Sequence, residues 1–132
     1  MSLPKTHARV GIGALALLTL LVSACAQSIG PADAIESYLK ALLSGDENKV
    51  FATSCPEWEE QAAVDFNAFT GVSGTFDGLE CSTSGTTGDA TLVTCQGTLV
   101  LNYNGEERER SLEGTTYLAQ KIDGEWKMCG YR

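Results

Sequence analysis

Thr91-Leu92-Val93-Thr94-Cys95-Gln96-Gly97-Thr98-Leu99-Val100-Leu101-Asn102-Tyr103-Asn104-Gly105 is the run whose reading decides the fold. β-Branched and apolar residues fill it, as a pleated, half-buried strand requires. It ends on Asn104-Gly105, residues that tolerate the positive φ angles of a two-residue hairpin turn. Asp123-Gly124 repeats the signal further on. The two turns divide the C-terminal part into a long strand, Glu106 to Ile122, and a final one, Glu125 to Tyr131. Upstream, Phe76 to Thr83 reads as another strand, separated from Thr91 to Tyr103 by Gly85-Thr86-Thr87-Gly88-Asp89. An antiparallel meander is the expected sheet.

Register follows from the turns. Counting through Asn104-Gly105 places Arg108 opposite Leu101 and Arg110 opposite Leu99, so both arginines share the face of Leu99 and Leu101. Two guanidiniums beside an apolar concavity suit a carboxylate or phosphate ligand. The candidate ligand-binding residues are therefore Arg108, Arg110, Tyr103 and Leu101. The commoner alternative is surface pairing of the arginines with Glu106, Glu107 and Glu109. On the same count, Tyr117, Ala119, Trp126 and Met128 face away from the Leu99 side. An exposed patch there would suggest a homodimer through the sheet. A one-residue bulge would reverse that assignment.

Ahead of the strands the apolar spacing becomes helical. Pro31 and Asp33 suit a first helical turn, and Ile35, Tyr38, Leu39, Leu42 and Leu43 recur on one face. Gly45 stops this helix and Asp46 caps a short second one holding Val50 and Phe51. Ser54-Cys55-Pro56-Glu57 has the spacing of a capping box. A third helix follows, with Trp58, Ala62, Phe66 and Phe69 on one side, ending at Gly71-Val72-Ser73-Gly74. Helices first and a meander afterwards make an α+β domain, with N-terminal helices packed on a curved antiparallel sheet.

The chain starts differently. Lys5, His7 and Arg9 precede an apolar run, Val10 to Val22, and small residues lead to Cys25. This is the layout of a secretory signal, and the run is short for a membrane span. Val22-Ser23-Ala24-Cys25 resembles the lipobox of bacterial lipoproteins, which implies cleavage before Cys25 and a diacylglyceryl group on its thiol. The expected organisation is a signal peptide at 1–24, the lipidated cysteine and a short tether at 25–30, and one domain at 31–132. The expected location is the extracytoplasmic face of a cell membrane, with the lipid bilayer a partner through Cys25.

Composition narrows the chemistry. The chain has nine basic and 17 acidic side chains, net −8; loss of Lys5 and Arg9 with the signal makes the domain more negative by two. Such a surface is repelled by phosphate backbones, so no nucleic-acid partner is expected. His7 is the one histidine, and its departure removes imidazole from catalysis and from metal binding. The acidic clusters lack calcium-loop spacing, and no metal or cofactor is expected.

Of five cysteines, four remain after Cys25: Cys55, Cys81, Cys95 and Cys129. In an exported small domain they read as two disulfides. A turn centred on Gly88 sets Cys81 opposite Cys95, leaving Cys55 for Cys129. A Cys95 at the centre of a long strand also lies within reach of a helix.

Ala34-Ile35-Glu36-Ser37-Tyr38-Leu39-Lys40-Ala41-Leu42-Leu43-Ser44-Gly45-Asp46 and Asp123-Gly124-Glu125-Trp126-Lys127-Met128-Cys129-Gly130 resemble the opening helix and closing strand of the NTF2-like family, also described as cystatin-like or SnoaL-like. The resemblance implies helices closed over a curved sheet as a cone. That fold hosts isomerases, dehydratases, carriers and interaction modules alike. Its enzymatic members use a carboxylate base with tyrosine and acid donors. Here Tyr38, Tyr103, Tyr117 and Tyr131 offer phenols, and Asp33, Glu36 and Asp65 carboxylates; Asp65 sits beside the apolar stripe of the third helix. No residue matches a specific catalytic motif. The expectation is a non-enzymatic module binding a small hydrophobic ligand or an envelope protein, with an isomerase- or hydratase-like enzyme as the alternative.

Overall fold

The computed structural model describes residues 28–132, together with Ser2. Cys25 and the signal-like segment lie outside the described residues. The first helix, α1, spans Pro31–Leu42. The Asp33 carboxylate accepts from the Gly30 N–H at 2.9 Å, satisfying a donor that the first turn cannot. Ile35, Tyr38, Leu39 and Leu42 are buried along one face. Gly45 then takes a positive φ of 72°, ending the helix. Helix α2, Glu47–Ala52, is capped by Asp46, whose side chain accepts from the Asn48 N–H at 3.1 Å. A 3-10 turn, Pro56–Trp58, runs into α3, Glu59–Ala68.

The expected capping box at Ser54 does not form. Ser54 is buried and its hydroxyl donates back to the Val50 carbonyl at 2.7 Å. The backbone on either side is already committed, because Cys55 N–H donates to Met128 O (2.7 Å) and Met128 N–H to Thr53 O (2.8 Å). Those bonds make a short parallel bridge to the last strand.

Five antiparallel strands follow: β1 (Ser73–Thr87), β2 (Ala90–Tyr103), β3 (Glu106–Ser111), β4 (Thr116–Ile122) and β5 (Glu125–Tyr131). The sheet order is β1-β2-β4-β5, with β3 also on β2. The helices cover one face of this open sheet, and the core lies between them, with Ile35, Tyr38, Val50, Val93 and Met128 fully buried. Each such side chain stabilises by roughly 1.5–3 kcal/mol. The architecture is therefore α+β, as expected.

Register agrees with the sequence at two places and departs at a third. Arg108 opposes Leu101 and Arg110 opposes Leu99, with Asn104 and Asp123 at φ 53° and 50° in the two hairpin turns. Cys81 opposes Cys95, by a different route from a turn centred on one residue. A two-residue turn, Gly88-Asp89, is offset by a register shift between Thr83 and Gly85. The departure is the long strand Glu106–Ile122, which is two strands. β3 pairs Ser111 with Thr98, whereas β4 pairs Thr116 with Thr94. Residues 112–115 therefore face one fewer residue of β2, a one-residue bulge. Leu112 turns inward, buried, and donates its N–H to Gly97 O at 3.0 Å.

That extra residue exchanges the faces of everything after it. Tyr117 and Ala119, expected to face away from Leu99, are buried in the core, as is Met128 across the hairpin. The patch that would have carried a sheet-mediated dimer is thus interior, with Trp126 partly buried against it.

A further shift lies between Asp77 and Glu80 in β1, also across from Gly97. Gly97 has φ 109°, and a Cβ there would approach Gly78 O to 2.6 Å. Gly78 of β1, Gly97 of β2 and Leu112, just past β3, thus lie side by side where the register breaks, and bulges at such a place bend a sheet. Two disulfides pin the result: Cys81–Cys95 between opposed strand residues (Cα–Cα 4.1 Å) and Cys55–Cys129 from the start of the 3-10 turn to β5 (Cα–Cα 5.0 Å). Among the described residues, the helices, the sheet, the core and both disulfides fall within residues 31–132, which hold a core and cross-links of their own.

Candidate functional site

The bend leaves a cleft of about 250 Å³ between the helices and the sheet. Leu39 and Leu42 of α1, with Leu43 just past its end, form one wall, Ala68 and Phe69 at the end of α3 another, and Phe76, Leu99 and Leu112 the sheet side. Polar groups gather at one part of its lining: Asp65, Tyr38, Tyr131, Tyr117, Thr115, Ser111 and Arg110.

Asp65 organises that end. Its Oδ2 accepts from the Tyr38 hydroxyl at 2.7 Å, and its Oδ1 accepts from Tyr131 at 3.0 Å and from Gln61 Nε2 at 3.0 Å. Three donors fix one carboxylate between α1, α3 and β5. Burial, followed by the bond to Asp65, pushes the Tyr38 phenol well above its ordinary range. The Trp58 indole N–H, buried and without a formed hydrogen bond among the described residues, opposes that rise. Tyr131 is also raised by burial and by Asp65, and its ring meets Trp58 edge-on at 5.2 Å. Burial raises Tyr117, with the Arg110 charge pulling the other way.

The four candidate ligand-binding residues separate. Arg110 lines the cleft. Leu101 is buried in the core one pair further along β2. Arg108 is exposed, bonds Glu106 at 3.1 Å and lies over the Tyr103 ring at 5.8 Å. Tyr103 is 40% exposed and, like Arg108, does not line the cleft. The surface-pairing alternative therefore describes Arg108, and the cleft describes Arg110. The physical reason is position: Arg108 and Tyr103 lie nearer the tip of the β2–β3 hairpin than Arg110, and Glu106 is the acid that Arg108 meets there.

Two features of the site carry little signal in the chain. Gln61 reaches Asp65 at the i, i+4 spacing of one helix face, a pattern shared by many surface pairs. Tyr131 and Asp65 are 66 residues apart, and nothing local links them.

The fold and site together define an α+β domain in which helices and a bent antiparallel sheet enclose a small cleft. No protein-family model matches the chain, and no curated protein does. Among solved structures it is similar to the solution structure of a SEC-C motif containing protein from Rhodopseudomonas palustris, at 17% identity and a TM-score of 0.50 over 79% of this chain and 78% of that one. At that identity the likeness concerns the fold.

Proposed function

We propose that the chain is an extracytoplasmic lipoprotein, anchored through Cys25, whose NTF2-like domain binds a small apolar ligand in the cleft. The address rests on the signal layout and on Val22-Ser23-Ala24-Cys25, with two disulfides in keeping with an oxidising compartment. Helices preceding and covering a bent antiparallel sheet support the NTF2-like reading.

One observation carries the function. The apolar walls of α1, α3 and β2 do not close on one another, and about 250 Å³ stays open beside a cluster of polar groups. An apolar cleft with a few convergent polar side chains is the usual form of a small-molecule site, and this one is below the roughly 300–1,000 Å³ typical of drug-sized ligands. A compact ligand fits it. A module working only by protein contact would have its interior filled by its own side chains.

The test uses residues 28–132. Octanol should shift the backbone amide resonances of Leu39, Phe69 and Leu99. Ala68→Trp, which fills the cleft from an exposed position on α3, should abolish those shifts. No shift with octanol would remove the reading. For the address, the full chain made in bacteria supplied with labelled palmitate should take up the label and Cys25→Ser should not; a chain that takes up none removes the lipid anchor.

The isomerase-like alternative is favoured by the 2.7 Å and 3.0 Å bonds from Tyr38 and Tyr131 to Asp65. Both phenols, however, spend their protons on the carboxylate rather than presenting them to a ligand. Proton abstraction next to a carbonyl would appear as deuterium incorporation into a bound ketone, lost in Asp65→Asn. Binding without exchange supports the carrier.

A further inference from the structure

Resting on the ligand-binding reading of the cleft, we propose that its ligand is a monocarboxylate with a short apolar tail, held at the head by Arg110. The charges of the site are unequally satisfied. Asp65 already accepts three hydrogen bonds, from Tyr38, Gln61 and Tyr131, so it has little call for a cationic ligand. Arg110 is the reverse: among the described residues no carboxylate comes within 4.0 Å of its guanidinium. Its neighbours Glu107 and Glu109 alternate to the other face of β3. Of the two charged groups lining the cleft, the one whose hydrogen-bonding capacity is left unused among the described residues is therefore the cation.

Position completes the assignment. Arg110 stands across from Leu99 on the cleft side of the sheet, so an anion paired with it places its tail against Leu99, Phe76 and Leu112. Tyr117 and Thr115 flank the head, and Tyr117 does not share the Asp65 carboxylate taken by the other two phenols. A single planar fork matches one carboxylate. A phosphate dianion calls for more positive charge, and the nearest candidate, Arg108, is turned to Glu106 instead.

Calorimetric titration of residues 28–132 with octanoate, octanol and octylamine tests this. Octanoate should bind about five- to tenfold more tightly than octanol, the worth of a partly exposed charge-assisted bond, and octylamine least. Added salt should narrow the gap. Arg110→Gln should lower octanoate to the level of octanol without changing octanol. Arg108→Gln should leave octanoate unchanged. Equal binding of octanoate and octanol by the unmodified chain overturns the carboxylate while leaving the cleft as a site. Tightest binding of octylamine overturns it in favour of Asp65. Binding of none of the three overturns the cleft reading, and this proposal with it.

Discussion

The β2–β3 and β4–β5 hairpins begin from nearly the same turn and end in opposite surroundings. Asn104-Gly105 and Asp123-Gly124 adopt closely matched angles, φ 53° and 90° against 50° and 85°. Yet all six residues of β3 are exposed, while β4 and β5 bury Tyr117, Ala119, Met128 and Gly130. Turn chemistry thus sets which residues oppose each other; what lies across the sheet face sets what they are worth. The β4–β5 hairpin lies under α1, bridges to Thr53 and Cys55 and carries a disulfide. The β3 strand pairs with β2 only and blunts its free edge with Glu106, Glu107, Arg108, Glu109 and Arg110. One hairpin is structural, and the other supplies the cation of the cleft.

Substitutions should expose this contrast in graded fashion. The largest effect belongs to Met128→Ala, which empties a fully buried site: a loss of about 2–5 kcal/mol, read by urea unfolding. A loss below 1 kcal/mol would show that the β4–β5 hairpin is no better anchored than its counterpart. Next is Gly97→Ala on the bend line, where positive φ and the Gly78 carbonyl both oppose a Cβ. About 1–3 kcal/mol is expected, with reduced octanol affinity as the cleft changes shape. Retained affinity would separate the bend from the site.

Alkaline pH acts on the buried side. Tyr38, Tyr117 and Tyr131 are held above the ordinary phenol value of 10.0, so the fold favours their neutral forms. That stabilisation is fully present below pH 10 and is lost as pH rises above it, because the unfolded chain then releases protons the native one keeps. Unfolding free energy should fall above that pH. In a Tyr103→Phe variant, which removes the exposed phenol outside the network, tyrosinate absorbance should appear together with unfolding; tyrosinate formed in that still-folded variant would contradict the burial and bonding of the other three. The smallest effect is Glu106→Gln. Its bond to Arg108 joins side chains 66% and 69% exposed, and removal should change stability by no more than about 0.5 kcal/mol.

The same contrast explains what could be read in the chain. Pairing of Arg108 with Leu101 and of Arg110 with Leu99 follows from two turn residues, because hairpin register is local. Cys81 opposite Cys95 follows from a count about Gly88 only because the two-residue turn and the shift between Thr83 and Gly85 offset each other; the shift itself has no signal in that count. The bend was not legible. Gly78, Gly97 and Gly114 mark permissive backbone, but the extra residue at 112–115 is defined only against β2, and β2 only against β1. Missing it turns Tyr117 and Ala119 outward on paper. At the site, Asp65 was visible as a carboxylate on an apolar helix edge. Its bond to Tyr131 depends on β5 returning beneath α1, and no local pattern encodes that return.

The Cys55–Cys129 link spans 74 residues, and it sits where Thr53–Cys55 pairs with the last strand. The residues that complete the first part of the domain therefore lie in its last strand, far from it along the chain. Until β5 arrives, α1 lacks Met128 beneath it, Asp65 lacks Tyr131 and Cys55 lacks its partner. Contacts of such long sequence separation form late and slowly. Folding of this domain accordingly waits on β5: without that strand the preceding elements stay open and Cys55 oxidisable, and its arrival closes the ring.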